Sequence, residues 1–326
     1  MAETVAPADL NDAESAGRAP GNVGDRVFGG VLWILGIMVL VVAGLIVLNL
    51  ALVARPLAKE HSLWGFITDI RWDPVEDRFG ALSFLYGTLV TAAVSIIVAV
   101  PIAIGLALFI TQFAPPKLGR VLTMPVELLA AIPSVVYGLW GLFVVVPWLR
   151  DPVEPWLGKH FGWIPLFQGP PIGLGYLASG LILAVMILPT IVAVSVEVMK
   201  TTPEANREAA LALGATKWEA VMMAVIPYSR AGILGAVLLG LGRALGETMA
   251  VTMVIGNSPQ ISASLFAPGY SLPAVIANEF AEATTNVHIA ALAGLGLILF
   301  ATTFLLNAGA RILVTAVQKG PGRIQG

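Results

Sequence analysis

The chain has 326 residues, 57% of them hydrophobic and only 12% charged, with a formal net charge of −2 and a mean hydropathy of +0.87. That balance excludes an ordinary soluble domain, and the scattering of the basic residues excludes a nucleic-acid partner. The sequence contains no cysteine, so disulfides and thiolate metal sites are ruled out, and His61, His160 and His288 stand too far apart in sequence for metal-ligand spacing. The expectation is an all-α, polytopic membrane protein.

Residues 1–26, rich in Ala, Asp, Glu, Asn and Gly without an apolar period, read as a disordered cytoplasmic tail. The apolar run 27–54 that follows is long enough to cross a bilayer, so it reads as a first transmembrane helix rather than a cleaved signal. Residues 55–82 turn polar, with Trp64, Trp72 and a charged run around Arg71–Arg78, and predict a solvated external loop with interfacial tryptophans. A second span covers about Ser83 to Thr111. The short loop Gln112–Arg120, with Lys117 and Arg120, carries a cytoplasmic signature.

The third span, about Val121 to Pro147, contains Pro133 and is expected to kink there. Ser134 and Tyr137, three residues apart beside that kink, are candidates to donate hydrogen bonds to a passing anion, with packing as the alternative. Trp148–Gly173 reads as an external loop, and the fourth span runs from about Leu174 to Met199. Residues Asn257–Asn286 hold no lysine or arginine and are placed outside. The sixth span is about Val287–Val317, followed by a cytoplasmic C-terminal tail, 319–326. Both termini are therefore expected in the cytoplasm, with the chain in the plasma (inner) membrane of a prokaryote.

The fifth span, Gly232–Gly256, carries Arg243 near its middle and Glu247 one turn later. An arginine at the bilayer centre costs roughly 2.5–3.5 kcal/mol on insertion scales, so a use for it is expected. At about 100° per residue, Gly232, Ala236, Gly240, Arg243, Glu247 and Ala250 share one helix face, so small residues clear a path in front of the charged ones. One reading is a structural ion pair at i,i+4. The other is an anion site, in which the guanidinium forks around two oxygens of phosphate or a similar oxyanion and Glu247 holds and neutralises it between visits. Gly235, Gly242 and Gly246 fall on another stripe, suited to close packing with a second subunit.

Residues 201–228 are polar with helical signals. Thr201 with Glu204 predicts a cap, helix follows to about Leu213, and Gly214 ends it. Thr216 with Glu219 predicts a second capped helix, which Pro227 is expected to stop. Two short helices around a glycine would form a compact knob presenting Ala209, Ala210 and Leu213 to a partner, or else an amphipathic hairpin resting on lipid headgroups.

Glu208-Ala209-Ala210, Gly214 and then Ile226-Pro227 resemble the EAA signature of membrane subunits in binding-protein-dependent ABC importers. The likeness departs where the family has isoleucine before a Leu-Pro step; Ala224 and Ile226 stand here, which keeps the apolar character. The resemblance implies that Glu208, Ala209, Ala210 and Gly214 dock in a groove of an ATPase subunit. The segments Gly242-Arg-Ala-Leu-Gly-Glu-Thr-Met-Ala-Val-Thr252 and Ile132-Pro-Ser-Val-Val-Tyr-Gly-Leu-Trp-Gly141 further resemble the PstC family of phosphate-specific importers, over roughly Ser83 to Gln318.

That likeness implies a type I ABC importer permease fold with a five-helix core, 83–318, and ties Arg243 and Glu247 to phosphate passage. It implies three kinds of partner: a second, PstA-like permease, two copies of a PstB-like ATPase and an external PstS-like phosphate-binding protein. The chain has no P-loop of its own. ATP and Mg²⁺ are thus expected on the ATPase, with no cofactor on this chain. Sulfate, molybdate or phosphonate are the alternative substrates, and an ion-coupled secondary transporter is the alternative architecture; the latter should show paired repeats, which the sequence lacks.

Overall fold

In the computed structural model, residues 23–60 and 62–318 are described. Residues 1–22 of the expected tail 1–26, the tail 319–326 and His61 lie outside them, and the expected tail is corrected at its end, because residues 23–26 are already helical. The chain divides into two units, 1–49 and 50–326. The first is carried by α1 (Val23–Val53), whose end runs on into the second. Its large side chains are exposed all round, Trp33 at 75% and Leu40 at 73%, as suits a helix solvated by lipid.

The second unit opens with α2 (Arg55–Glu60) and α3 (Leu63–Thr68), then a minimal antiparallel hairpin of β1 (Trp72–Asp73) and β2 (Arg78–Phe79) that sets Trp72 opposite Phe79. The expected solvated loop is therefore corrected. Phe66 and Phe79 are buried, and Trp72 packs edge-on against Phe79 and Phe84 at 4.9 Å between ring centroids. Burying these aromatics outweighs the charged run, which stays on the outer edge of the hairpin.

Next come α4 (Leu82–Leu108), prolonged by a π-helical turn over Phe109–Phe113, then α5 (Pro116–Ala131) and α6 (Ser134–Trp140). π-Helical turns at Gly141–Val145 and Leu149–Val153 lead through α7 (Val146–Trp148) to α8 (Glu154–Phe161). After α9 (Tyr176–Lys200) and α10 (Glu204–Ala212), a continuous rod is built from α11 (Lys217–Ala220), a π-helical turn Val221–Val225 and α12 (Ile226–Gly246). α13 (Met249–Val254), α14 (Leu272–Glu279) and α15 (Asn286–Gln318) complete the order. Among the described residues five helices are long and apolar enough to cross a membrane, and the bent pair 116–131 and 134–161 passes the same test only when its two halves are taken together.

The third span is not one kinked helix: the chain turns by 97° between its halves. Proline disfavours helical backbone in the residue before it. Ile132 (ψ 130°) and Pro133 (ψ 143°) are both extended, and that suffices to redirect the chain. Pro227 does not stop its helix either. It sits at the start of α12 directly after the π-helical turn, where the widened hydrogen-bond register accommodates a residue with no N–H to give.

The core lies between α4 and α9. Ala92, Ala99, Ala103 and Ala107 form a stripe of small residues on α4, each at most 2% exposed. They admit Ile182, Leu183, Ile187 and Ile191 of α9, all buried in the same cluster. Between membrane helices, where lipid is as apolar as leucine, such close approach is what holds the backbones together.

Candidate functional site

α12 packs on α9 along the small-residue stripe predicted to clear a path. A Cβ added to Gly232 would lie 2.3 Å from a Val198 methyl, and one on Gly240 2.9 Å from Ile191. Ala236 is fully buried. The stripe is a packing surface, not a channel wall, and it brings the two backbones together just where Arg243, the next residue on that face, must find room. Gly235, Gly242 and Gly246, on the other stripe, have nothing within 4 Å of the added Cβ.

Arg243 lies in the last turn of α12, where the unpaired carbonyls at a helix C-terminus favour a cation. Its Nη1 donates to Oγ1 of Thr190 on α9 at 3.4 Å, and the residue is partly exposed. Among the described residues no carboxylate pairs with it. Thr190 follows Pro189, which stands inside α9 and has no N–H to bond to the preceding turn. Nothing in the sequence marked Thr190, because its partnership with Arg243 is made only by packing.

The i,i+4 pairing of Arg243 and Glu247 is overturned. α12 ends at Gly246, and Glu247 is extended (φ −72°, ψ 127°). Its Oε1 accepts instead from the Ala250 N–H at 3.3 Å, in the manner of a cap at the start of α13. Gly246 followed by Glu-Thr is a stop-and-restart signal that the unbroken hydropathy concealed. Both side chains are partly exposed on either side of a broken helix.

Tyr137 lies on α6. It is 4% exposed, and its hydroxyl donates to the Leu129 carbonyl at 2.7 Å, which ties the 97° bend across its two arms. That proton is committed to the backbone. Ser134 opens α6 at the bend and is half-buried.

The knob forms as two helices around a left-handed glycine. Gly214 has φ +89°; its N–H bonds to Leu211 O and that of Ala215 to Ala210 O, a Schellman closure. Open space surrounds its Cβ position, so the requirement for glycine is conformational. Thr216 and Glu219 form the expected capping box. The expected Thr201 cap is not made, since its hydroxyl turns back to Val198 O at 2.8 Å and Pro203 occupies the capping position. Glu208 and Ala209 are exposed, Ala210 partly so, and Leu213 is 91% exposed. The four docking candidates thus lie together on one projection.

Residues 99–320 match the family described as binding-protein-dependent transport system inner membrane component. The phosphate transport system permease protein PstC of Mesorhizobium japonicum is 49% identical over 263 residues, covering 79% of this chain and 80% of that protein. PstC of Xylella fastidiosa (strain 9a5c) is 45% identical over 286 residues, 83% of this chain and 88% of that one. PstC 2 of Mycobacterium tuberculosis is 38% identical over 310 residues, 92% and 95% of the two. Among solved structures, a chain of the inward-facing MetNI methionine ABC transporter superposes with a TM-score of 0.55 at 18% identity, over 73% of this chain and 95% of that chain. A chain of the bacterial alginate ABC transporter bound to its alginate-loaded periplasmic protein gives 0.55 at 16% identity, over 88% and 96%. The fold is that of the ABC importer permeases, and the chain belongs to the binding-protein-dependent transport inner membrane component family, among the PstC permeases.

Proposed function

We propose that this chain is the permease subunit of an ATP-driven importer of inorganic phosphate and supplies half of the translocation pathway. The observation that carries the reading is Arg243, a partly exposed residue beside a helix break inside an apolar span and without a carboxylate partner among the described residues. A planar cation presents two parallel N–H donors to a tetrahedral oxyanion. Thr190 aims it from the neighbouring helix. Glu247, on the far side of the break, limits the net charge, so the anion is held only in passing. Tyr137 ties the bend between α5 and α6, with Ser134 at its start. The names of the relatives support phosphate as the anion.

The remaining parts follow mechanically. A second, PstA-like permease would complete the pathway by packing on the open stripe at Gly235, Gly242 and Gly246. A PstS-like binding protein would deliver phosphate to the outer loops, and two PstB-like ATPase copies, with ATP and Mg²⁺, would dock on Glu208, Ala209, Ala210 and Gly214. The rod Lys217–Gly246, of 30 residues, extends about 45 Å at 1.5 Å per residue. It makes a direct lever from the knob to Arg243. This reading places the knob and both termini in the cytoplasm of a prokaryote, with the chain in the inner membrane. Radiolabelled phosphate uptake by the reconstituted complex tests it: excess unlabelled phosphate should compete, whereas equal competition by sulfate, molybdate or phosphonate would assign the site to another oxyanion.

A further inference from the structure

A groove of about 350 Å³ lies between α4, the α6–α7 segment and α9, and its walls are wholly apolar. Two glycines explain where it begins. A Cβ added to Gly180 of α9 would lie 2.4 Å from a Val94 methyl on α4, and one on Gly141 would lie 2.9 Å from Ile182 of α9, so both neighbours seat directly on α9 at these points. About one turn further on, Val98 and Ile102 stand on one side and Val144 and Trp148 on the other, as the walls. Ile102, Val144 and Trp148 are each more than half exposed. Ala99 and Ala184 line the groove as well, buried at its floor, and their single methyls leave a depth that larger residues would fill.

Size and polarity select the occupant. α4 and α9 are both long and apolar enough to cross a membrane, so a groove between them meets hydrocarbon, and a ligand with charges or hydrogen bonds to satisfy finds no partner on its walls. Water is excluded for the same reason. An α-helix 10–12 Å across fills about 140 Å³ per residue; the groove holds only two or three residues' worth, so a partner helix would lie over it rather than in it. A methylene group is close in size to a water molecule, about 30 Å³, so roughly a dozen of them in a row fill the space. Left empty, the lining would forfeit its contacts on one side. We infer that this groove seats one acyl chain of a membrane phospholipid, held in place and distinct from the lipids that solvate α1. Trp148 marks the headgroup end, because Arg150 and Asp151 just beyond it form an exposed ion pair, as suits an interfacial tryptophan. At Leu188 the groove reaches the residue before Pro189, where α9 lacks a backbone hydrogen bond. The chain therefore packs against the turn of α9 that leads to Thr190. The inference does not depend on which ion is transported.

Photolabelling tests it. Phosphatidylcholine with a diazirine midway along one acyl chain is mixed at rising mole fraction into proteoliposomes holding the full complex, and after illumination the adducts are mapped by peptide mass spectrometry. Adducts on the groove segments 98–102, 140–148 and 181–188 should reach a plateau at low mole fraction, while those on α1 around Trp33 and Leu40 rise in proportion to it. Val144→Phe, which fills the groove from its exposed side, should lower the groove adducts severalfold and leave those on α1 unchanged. Ala184→Leu should do the same from the floor, with a thermal melt of each variant to show that the fold is kept. The inference is overturned if the groove adducts rise in proportion as those on α1 do, or if a folded Val144→Phe leaves them undiminished. It is overturned also if they form on the isolated full-length chain but not in the complex, which would give the groove to a partner subunit.

Discussion

The Arg243 guanidinium on α12 reaches across the helix interface to the hydroxyl of Thr190 on α9, 3.4 Å away. One hydrogen bond to a neutral hydroxyl therefore holds a charge inside an apolar span, where the helical period of the sequence pairs it with Glu247. At that length the bond is a weak one, in keeping with the proposed exchange of Thr190 for an anion.

Removing that hydroxyl tests its positioning role. Thr190→Val should raise the KM for phosphate uptake severalfold through misaimed guanidinium while leaving the complex assembled, and Thr190→Ser should restore it. A loss of assembly in Thr190→Val, unrescued by serine, would make the residue a packing element only.

The two glycine stripes of α12 should separate by phenotype. Gly232→Leu drives a side chain into Val198, whose Cβ and both methyls already crowd that position, and overpacking of this kind costs about 1–3 kcal/mol. Its chain should unfold earlier in detergent. Gly235→Leu meets open space, so the isolated chain should melt normally and fail instead in co-purification with the second permease. Equal thermal stability of the two variants would contradict the assignment of the stripes.

At the knob, Gly214 holds φ +89° with room around it, so the penalty for a side chain is backbone strain of roughly 1–2 kcal/mol. Gly214→Val should uncouple ATP hydrolysis from uptake or detach the ATPase, whereas Gly214→Asn, which tolerates the left-handed region, should retain most of both. Unchanged coupling in the valine variant would remove the docking assignment.

Beside the β-hairpin, one oxygen of Glu279 accepts from Trp72 Nε1 at 2.7 Å and lies 3.1 Å from His288 Nε2. Glu279→Ala leaves both partners without that oxygen and should cost about 1–3 kcal/mol. Loosening of the hairpin should shift tryptophan emission to the red, and a Trp72→Phe background should lose the shift.

Much of this was legible in the sequence. Apolar length gave the spans, while the Schellman glycine and the Thr216–Glu219 box gave the knob, because caps and turns are local chemistry. Arg243 was conspicuous because charge inside an apolar run is rare. What hid were features made by neighbours or by single backbone residues. Thr190 is one hydroxyl in a hydrophobic helix until α12 packs on it. Glu247 continues the helical period on paper, yet its extended backbone ends α12. Pro227 has the look of a terminator, and only the π-helical turn before it lets the rod pass through. The charged run at 71–78 masked two buried aromatics, because its polarity sits on the edge of the hairpin and its packing on the face.

The most direct test of the account is phosphate accumulation by proteoliposomes holding the full complex with Arg243→Gln in this chain. The account predicts an assembled complex whose uptake falls by roughly 100-fold or more, the scale set by losing a preorganised charge contact of about 3 kcal/mol. Arg243→Lys, a point charge without the fork, should recover only part of it. Uptake at the unaltered rate in Arg243→Gln would contradict the claim that this guanidinium meets the travelling anion.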